Sequence, residues 1–125
     1  MYILTVEDNF SSAHQLRGYR GKCENLHGHN WKVVLSVRGD ALDGAGLLVD
    51  FHELKSILRS VIEELDHANL NELPPFTEIN PSSENISRHI ARAVAGMLET
   101  RPGAQVRVDT ITVWESDSAR CTYVP

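Results

Sequence analysis

A regular apolar repeat after Asp50 constrains the fold of this 125-residue chain more than any other feature. From Phe51 onward, apolar residues recur at intervals of three and four, which places them on one face of an α-helix. The members of the repeat are Phe51, Leu54, Ile57, Leu58, Val61, Ile62 and Leu65. Asp50 precedes the repeat and is of a residue type that caps helix N-termini. The sequence therefore predicts an amphipathic helix, capped by Asp50, that buries one face against another layer.

A second helix and four strands are predicted around the first helix. A second helical repeat follows the proline-rich loop at 71–82, and Ser82 or Ser83 is expected as its N-cap. Segments rich in β-branched residues predict strands at 2–14, 31–38, 106–114 and 121–124. The order ββααββ, without a repeat or a long linker, is typical of one α+β domain spanning residues 1–125. We expect a four-stranded antiparallel sheet with both helices on one face.

Charge and hydropathy limit the partners of the chain. A net charge of −5 argues against sequence-independent nucleic-acid binding, because such surfaces need clustered Lys and Arg. No apolar run approaches the roughly 20 residues that span a membrane, and the N-terminal residues lack a signal-peptide pattern. We therefore expect no nucleic-acid partner, no membrane partner and a cytoplasmic location, where both cysteines stay reduced. The unpaired edges of the predicted sheet favour assembly into a closed homo-oligomer.

The stretch CENLHGHN at 23–30 concentrates metal-binding side chains. In an extended segment His27 and His29 project to the same side, and an antiparallel partner strand would bring His14 beside them. Three imidazoles leave the fourth position of a zinc ion open, as in catalytic sites. Cys23 has three interpretations: the fourth ligand of a closed structural site, a buried inert thiol, or a thiolate that acts as a base or nucleophile. The residues alone leave these three open.

Two further polar features are candidates for chemistry. Asp66 next to His67 can orient the imidazole for acid–base catalysis, although adjacent Asp and His also occur by chance. Glu115 ends an otherwise apolar predicted strand. Its carboxylate can accept two hydrogen bonds from a guanidine-like ligand edge, or it can simply face solvent at a strand end.

Six ordered motifs resemble the 6-pyruvoyltetrahydropterin synthase superfamily, and most closely its queuosine-pathway branch, 6-carboxytetrahydropterin synthase. The motifs are FSSAH at 10–14, CENLHGHN at 23–30, LVDFHELK at 48–55, LDHANLN at 65–71, NPSSEN at 80–85 and VWES at 113–116. The three-residue gap between Cys23 and His27 is similar to the carboxytetrahydropterin branch. The resemblance spans nearly the whole chain.

The resemblance assigns a role to each candidate residue. It implies zinc ligation by His14, His27 and His29, and catalysis by the Cys23 thiol together with Asp66 and His67. It implies that Glu115 holds the pterin ring and that Ser82 and Ser83, within NPSSEN, lie at the pterin pocket.

The resemblance also implies a fold, an assembly and a reaction. In the tunnelling fold, subunit sheets join into an oligomeric barrel, here expected as a hexamer with active sites between subunits. The implied substrate is 7,8-dihydroneopterin triphosphate, which would be converted to 6-carboxy-5,6,7,8-tetrahydropterin, acetaldehyde and triphosphate. One alternative is a related enzyme that makes pyruvoyltetrahydropterin or cleaves the dihydroneopterin side chain, since Glu24 follows Cys23 directly. The other alternative is a non-catalytic zinc-binding module in which Cys23 closes the metal site.

Overall fold

The computed structural model describes residues 1–18 and 25–125, which form an α+β structure. Two α-helices and a mixed sheet of five strands account for most of the described residues. In chain order the elements are β1 (Tyr2–His14), β2 (His27–Gly39), α1 (Phe51–Glu63), β3 (Ala68–Asn69), a 3-10 helix (Leu70–Glu72), α2 (Ser83–Glu99), β4 (Arg107–Ser116) and β5 (Ala119–Tyr123).

The sheet corrects the predicted topology. Its strand order is β3-β1-β2-β4-β5, and β3 runs parallel to β1, so the sheet is not the four-stranded antiparallel one expected from the sequence. The extra strand forms because the His67 N–H donates to the Ser11 carbonyl (2.7 Å) and the Ser11 N–H donates to the Asp66 carboxylate (2.9 Å). These bonds bring the two residues of β3 alongside β1. Two residues are too few for an alternating pattern to show in sequence.

One face of the sheet carries the core. Val6 and Phe10 on β1 are buried, and so are Trp31, Val33 and Leu35 on β2, whereas the residues between them are more exposed. This period of two is what a half-buried strand requires. Trp31 is fully buried and its ring lies parallel to that of Phe10, with centroids 5.9 Å apart. The core therefore ends on β2 at Trp31, two residues after His29.

The helices confirm the apolar repeats of the sequence. Five residues of the first repeat are buried on α1, namely Leu54, Ile57, Leu58, Val61 and Ile62. Leu65 is buried just beyond the helix, whereas Phe51 at its start is exposed. Asp50 is the N-cap of α1, where its carboxylate accepts the N–H of His52 at 2.7 Å. Ser82, rather than Ser83, is the N-cap of α2. In the described part of the chain, no helix is both long and apolar enough to span a membrane.

Replacing Asp50 with alanine should lower the free energy of unfolding by about 1 kcal/mol, because the first turn of α1 loses its capping acceptor. Chemical denaturation at a fixed protein concentration measures this change. Lys55→Ala, on the exposed side of the same helix, is the matched control and should change the value by less than about 0.5 kcal/mol. Equal stability of the two variants would show that the cap contributes nothing measurable.

Candidate metal centre

The register of β1 and β2 brings three histidines together at one end of the sheet. His14 pairs directly with His27, and Ser12 pairs with His29. His27, His29 and Trp31 alternate along β2, so all three side chains lie on the face that carries the core. The predicted extended segment and the predicted neighbouring position of His14 are thus both present.

The ligand atoms of this group lie at metal-binding distances from one another. The group, called here the histidine–Glu115 cluster, consists of His14, His27, His29 and Glu115, whose ligand atoms all lie within 4.8 Å of one another. His14 Nε2 is 3.0 Å from His27 Nε2. Oε1 of Glu115 is 3.4 Å from Nε2 of His14 and 3.4 Å from Nε2 of His29. Four donor atoms of types that zinc binds therefore converge on one point.

Hydrogen bonds from the far side of two rings fix which nitrogens face the cluster. His14 Nδ1 lies 2.7 Å from the Pro81 carbonyl, and His27 Nδ1 lies 2.7 Å from the Asn25 carbonyl. A carbonyl accepts only, so each Nδ1 carries the proton and each neutral ring presents the Nε2 lone pair to the cluster. His29 Nε2 is buried and has no hydrogen-bond partner among the described residues. Converging lone pairs and an orphaned buried nitrogen are what a bound cation would satisfy, so these residues fit a metal ion.

Burial keeps the imidazoles in the form that binds metal. Burial is the main factor that lowers the pKa of His14, and it outweighs the opposing hydrogen bond to Pro81. Burial likewise lowers the pKa of His29, against the opposing charge of Glu115. Neutral imidazole is the ligating form, so both shifts favour metal binding near neutral pH.

Strand alternation places Glu115 on the face of the sheet that carries the core and the histidines, because it lies two residues after the buried Val113 on β4. The pairing of β4 with β5 shifts register between Trp114 and Ser116, which leaves Glu115 as the extra residue. Such irregularities are common beside functional sites, but the alternation alone accounts for the direction of this side chain. The Glu115 side chain is 36% exposed, and its carboxylate contacts two buried or half-buried rings. The interpretation of Glu115 as a residue that merely faces solvent does not match this geometry.

Asp66 and His67 lie beside β1 but outside the histidine–Glu115 cluster in the described part of the chain. Asp66 Oδ1 accepts the Ser11 N–H and lies 3.0 Å from His67 Nδ1, while Oδ2 lies 3.4 Å from Arg59. The Ser11 N–H is the main factor that lowers the pKa of Asp66, and the His67 hydrogen bond adds to it. His67 has a positive φ of 53° and a side chain that is 83% exposed. The ring is thus held by Asp66 and presented outward.

Three other residues were predicted to belong to the site, namely Cys23, Ser82 and Ser83. Cys23 lies outside the described residues. The Ser82 hydroxyl accepts the Asn85 N–H at 3.2 Å as the N-cap of α2, and Ser83 is the first residue of that helix. Both adjoin the cluster through Pro81, whose carbonyl accepts from His14.

Two asparagines that sequence reasoning did not single out hold the chain as it leaves His14. The Gln15 N–H donates to Asn71 Oδ1 (2.8 Å), and Asn71 Nδ2 donates back to the Gln15 carbonyl (2.9 Å). Asn80 makes the same pair of bonds with the N–H and carbonyl of Arg17, at 2.9 and 2.8 Å. Each side-chain amide thus makes the two backbone hydrogen bonds that a neighbouring strand would make, at Gln15 and at Arg17. Both asparagines lie in motifs quoted above, LDHANLN and NPSSEN, but their type alone does not reveal a partner so distant in sequence.

Comparison with known proteins places this chain in a family. The sequence profile described as 6-pyruvoyl tetrahydropterin synthase matches residues 3–125. The chain belongs to this family. It is 29% identical to the 6-carboxy-5,6,7,8-tetrahydropterin synthase of Haemophilus influenzae, over 98% of this chain and 99% of that protein. It is 31% identical to the Bacillus subtilis protein of the same name, over 98% of this chain and 84% of that protein.

A solved structure in the same family has the same fold. The 6-pyruvoyl tetrahydropterin synthase of Caenorhabditis elegans aligns with a TM-score of 0.81 and 27% identity, covering 100% of this chain and 97% of that one. The family membership supports a tetrahydropterin synthase type of enzyme, and the cluster of three histidines and Glu115 is its candidate metal centre.

Asn71→Asp should lower the free energy of unfolding of the metal-free protein by about 1–3 kcal/mol, because a carboxylate oxygen would face the Gln15 carbonyl where a donor now stands. Denaturant titration of the metal-free chain measures the loss. Asn30→Asp is the matched control: Asn30 uses its Oδ1 as an acceptor for Ser11 Oγ (2.7 Å), which Asp retains. If Asn71→Asp is as stable as that control, the Asn71 amide does not hold Gln15.

Proposed function

We propose that the protein is a zinc-dependent 6-carboxy-5,6,7,8-tetrahydropterin synthase of queuosine biosynthesis. Its substrates would be 7,8-dihydroneopterin triphosphate and one water molecule, and its products 6-carboxytetrahydropterin, acetaldehyde and triphosphate. The observation that carries this proposal is the convergence of His14, His27 and His29 in a chain that belongs to the pterin synthase family throughout its length. The choice of branch is supported by the spacing of Cys23 and His27 and by the names of the two bacterial relatives.

Zinc would be held by the Nε2 atoms of the three histidines. The donor set is all imidazole plus one nearby carboxylate, which suits zinc, and the Nδ1 bonds to Pro81 and Asn25 already orient two of the rings. When bound, the metal would act as a Lewis acid on the oxygens of the pterin side chain and make the adjacent C–H bonds more acidic. The chain's own groups would then move the protons.

Two groups are proposed to transfer protons. The Cys23 thiolate, whose pKa a nearby cation would lower, takes a proton from the side-chain carbon. His67 returns a proton at another carbon. Asp66 accepts from His67 Nδ1, which leaves Nε2 at the exposed end of the ring as the atom that exchanges a proton. Successive removal and return of protons would shift the oxidation level along the side chain without nicotinamide or flavin.

The pterin ring is proposed to be held by Glu115, with Ser82 and Ser83 at the edge of the pocket. A carboxylate matches the two parallel N–H donors on the aminopyrimidine edge of a pterin. Glu115 already lies on the histidine face of β4, and the serines lie at the start of α2 beside the Pro81 carbonyl that orients His14.

We propose that the protein is a homo-oligomer, expected as a hexamer, in the cytoplasm. Each subunit would be a single domain spanning residues 1–125. Within residues 1–18 and 25–125, β1 pairs with β3 only at Ser12 and Ala13, and β5 pairs only with β4, so both sheet edges offer unpaired strands. His67 is exposed and stands apart from the histidine–Glu115 cluster. Assembly edge to edge would supply a second chain's Asp66–His67 pair to each metal centre.

A pyruvoyltetrahydropterin synthase is the second candidate, because the family profile and the C. elegans structure carry that name. A dihydroneopterin side-chain cleaving enzyme and a structural zinc module are the remaining alternatives. The three enzymes differ in their carbon products, and the structural module would make none.

Incubating the purified protein with 7,8-dihydroneopterin triphosphate and identifying the pterin and carbon products tests the proposal. We expect 6-carboxytetrahydropterin together with acetaldehyde. Cys23→Ala should keep its zinc and lose most of the activity, by roughly 100-fold or more, since one proton-transfer group is removed. Pyruvoyltetrahydropterin without acetaldehyde would select the second candidate, and loss of zinc from Cys23→Ala would support the structural module.

Metal analysis should find one zinc per chain, and His27→Ala or His29→Ala should each remove most of it because only two imidazoles would remain. His52→Ala is the matched control, since His52 is exposed on α1 and outside the cluster, and it should keep full zinc content. Full zinc content in both His27→Ala and His29→Ala would show that the ligand assignment is wrong.

A further inference from the structure

We propose that Glu115 is the fourth ligand of the metal when no substrate is bound, and that substrate must displace it. The displacement rests on the function proposed above, whereas the ligation does not. The site would thus be closed at rest, in contrast to the open three-histidine site that the sequence suggests. Glu115 would exchange between the metal and the pterin ring.

The distances around Glu115 are those between two ligands of one ion. Ligands about 2.0–2.1 Å from zinc at the corners of a tetrahedron lie about 3.3–3.4 Å from one another. Oε1 of Glu115 lies 3.4 Å from Nε2 of both His14 and His29, and those two rings belong to different strands. A charge-assisted N–H···O bond is shorter, about 2.7–2.9 Å. The two equal separations therefore fit shared ligation better than an ion pair with a protonated imidazole.

The chemistry of the facing atoms leads to the same assignment. His14 donates through Nδ1 to Pro81, so its neutral ring offers a lone pair at Nε2. The carboxylate of Glu115 is also an acceptor. Two acceptors that face each other without a proton between them repel, and they lie only 3.4 Å apart here. A cation among these atoms removes the repulsion and satisfies the orphaned His29 Nε2 as well.

Backbone geometry makes this position specific to Glu115. Alternation from the buried Val113 places this side chain on the cluster side of β4, while Asp117, in the turn that follows, is exposed. Ligation by Glu115 would lower the net charge of the zinc site from about +2 to about +1 and would occupy the position that a substrate oxygen needs. Because the two parallel N–H donors of the ring edge need both carboxylate oxygens, metal binding and ring binding through Glu115 must compete.

The first test measures metal affinity without any substrate. The metal-free protein is titrated with zinc against a competing chelator, and with Co²⁺ while its visible absorption is recorded. We expect Glu115→Gln to bind zinc at least about 10-fold more weakly, since even outer ligand partners contribute that much, and to change the Co²⁺ spectrum. Asp117→Asn, which removes the same charge two residues away, should match the parent. Thermal unfolding of each metal-free variant confirms that it is folded.

The second test uses unsubstituted pterin, which has the ring edge but no side-chain oxygen for the metal. In the parent, zinc should weaken pterin binding several-fold, and pterin should weaken zinc binding by the same factor, because such coupling is reciprocal. In Glu115→Gln this coupling should vanish.

The outcomes separate this inference from the proposed function. Unchanged zinc affinity in Glu115→Gln overturns the ligation, whatever the enzyme makes. If zinc does not change pterin binding to the parent protein, the exchange is overturned, whereas the proposed reaction is not. Failure of pterin to bind with or without zinc overturns the exchange and the proposed function together, while the zinc titration still decides the ligation.

Discussion

The antiparallel register between β1 and β2 is the constraint on which the candidate site depends. Because His14 pairs with His27 and the side chains of a strand alternate, three imidazoles share one face at one end of the sheet. A shift of one residue would turn His14 to the opposite face from its partners. The register itself is maintained by the core, since the same alternation places Phe10 and Trp31 among the fully buried side chains. The same register between β1 and β2 therefore satisfies both core packing and the geometry of the metal site.

Groups far away in sequence complete the site. The carbonyl of Pro81, the residue just before the N-cap of α2, orients His14, and the Asn71 and Asn80 amides hold the residues that follow His14. The guanidinium of Arg17 adds bonds to the carbonyls of Phe76 and Ile79, at 2.6 and 2.8 Å. The loop between the two helices therefore supports the metal centre by hydrogen bonding to the chain around it. Among these contacts, the Pro81 carbonyl also fixes the tautomer of His14.

Asp66 and His67 show how one loop serves both fold and chemistry. The bonds between this loop and Ser11 add the strand β3 to the sheet, and they also hold the Asp66 carboxylate against His67. A four-stranded antiparallel sheet was the wrong expectation because these bonds join a side chain and a turn to β1, and neither leaves a periodic trace in the sequence. The exposed ring of His67 is the part of this arrangement that a second chain is proposed to use.

The sequence by itself determined the parts of this protein that are local and periodic. Apolar spacing located both helices, Asp50 identified the start of α1, and His27 and His29 were recognisable because two positions along a strand return to the same face. The tertiary structure decided which distant groups meet. Glu115 lies beside His14 because β4 pairs with β2 in the register that sets Trp114 opposite Lys32, and Pro81 and Asn71 reach the site only because the chain folds back over β1. Such contacts depend on the folded chain bringing distant residues together, since the type of a hydrogen-bonding residue does not reveal which distant partner it will contact.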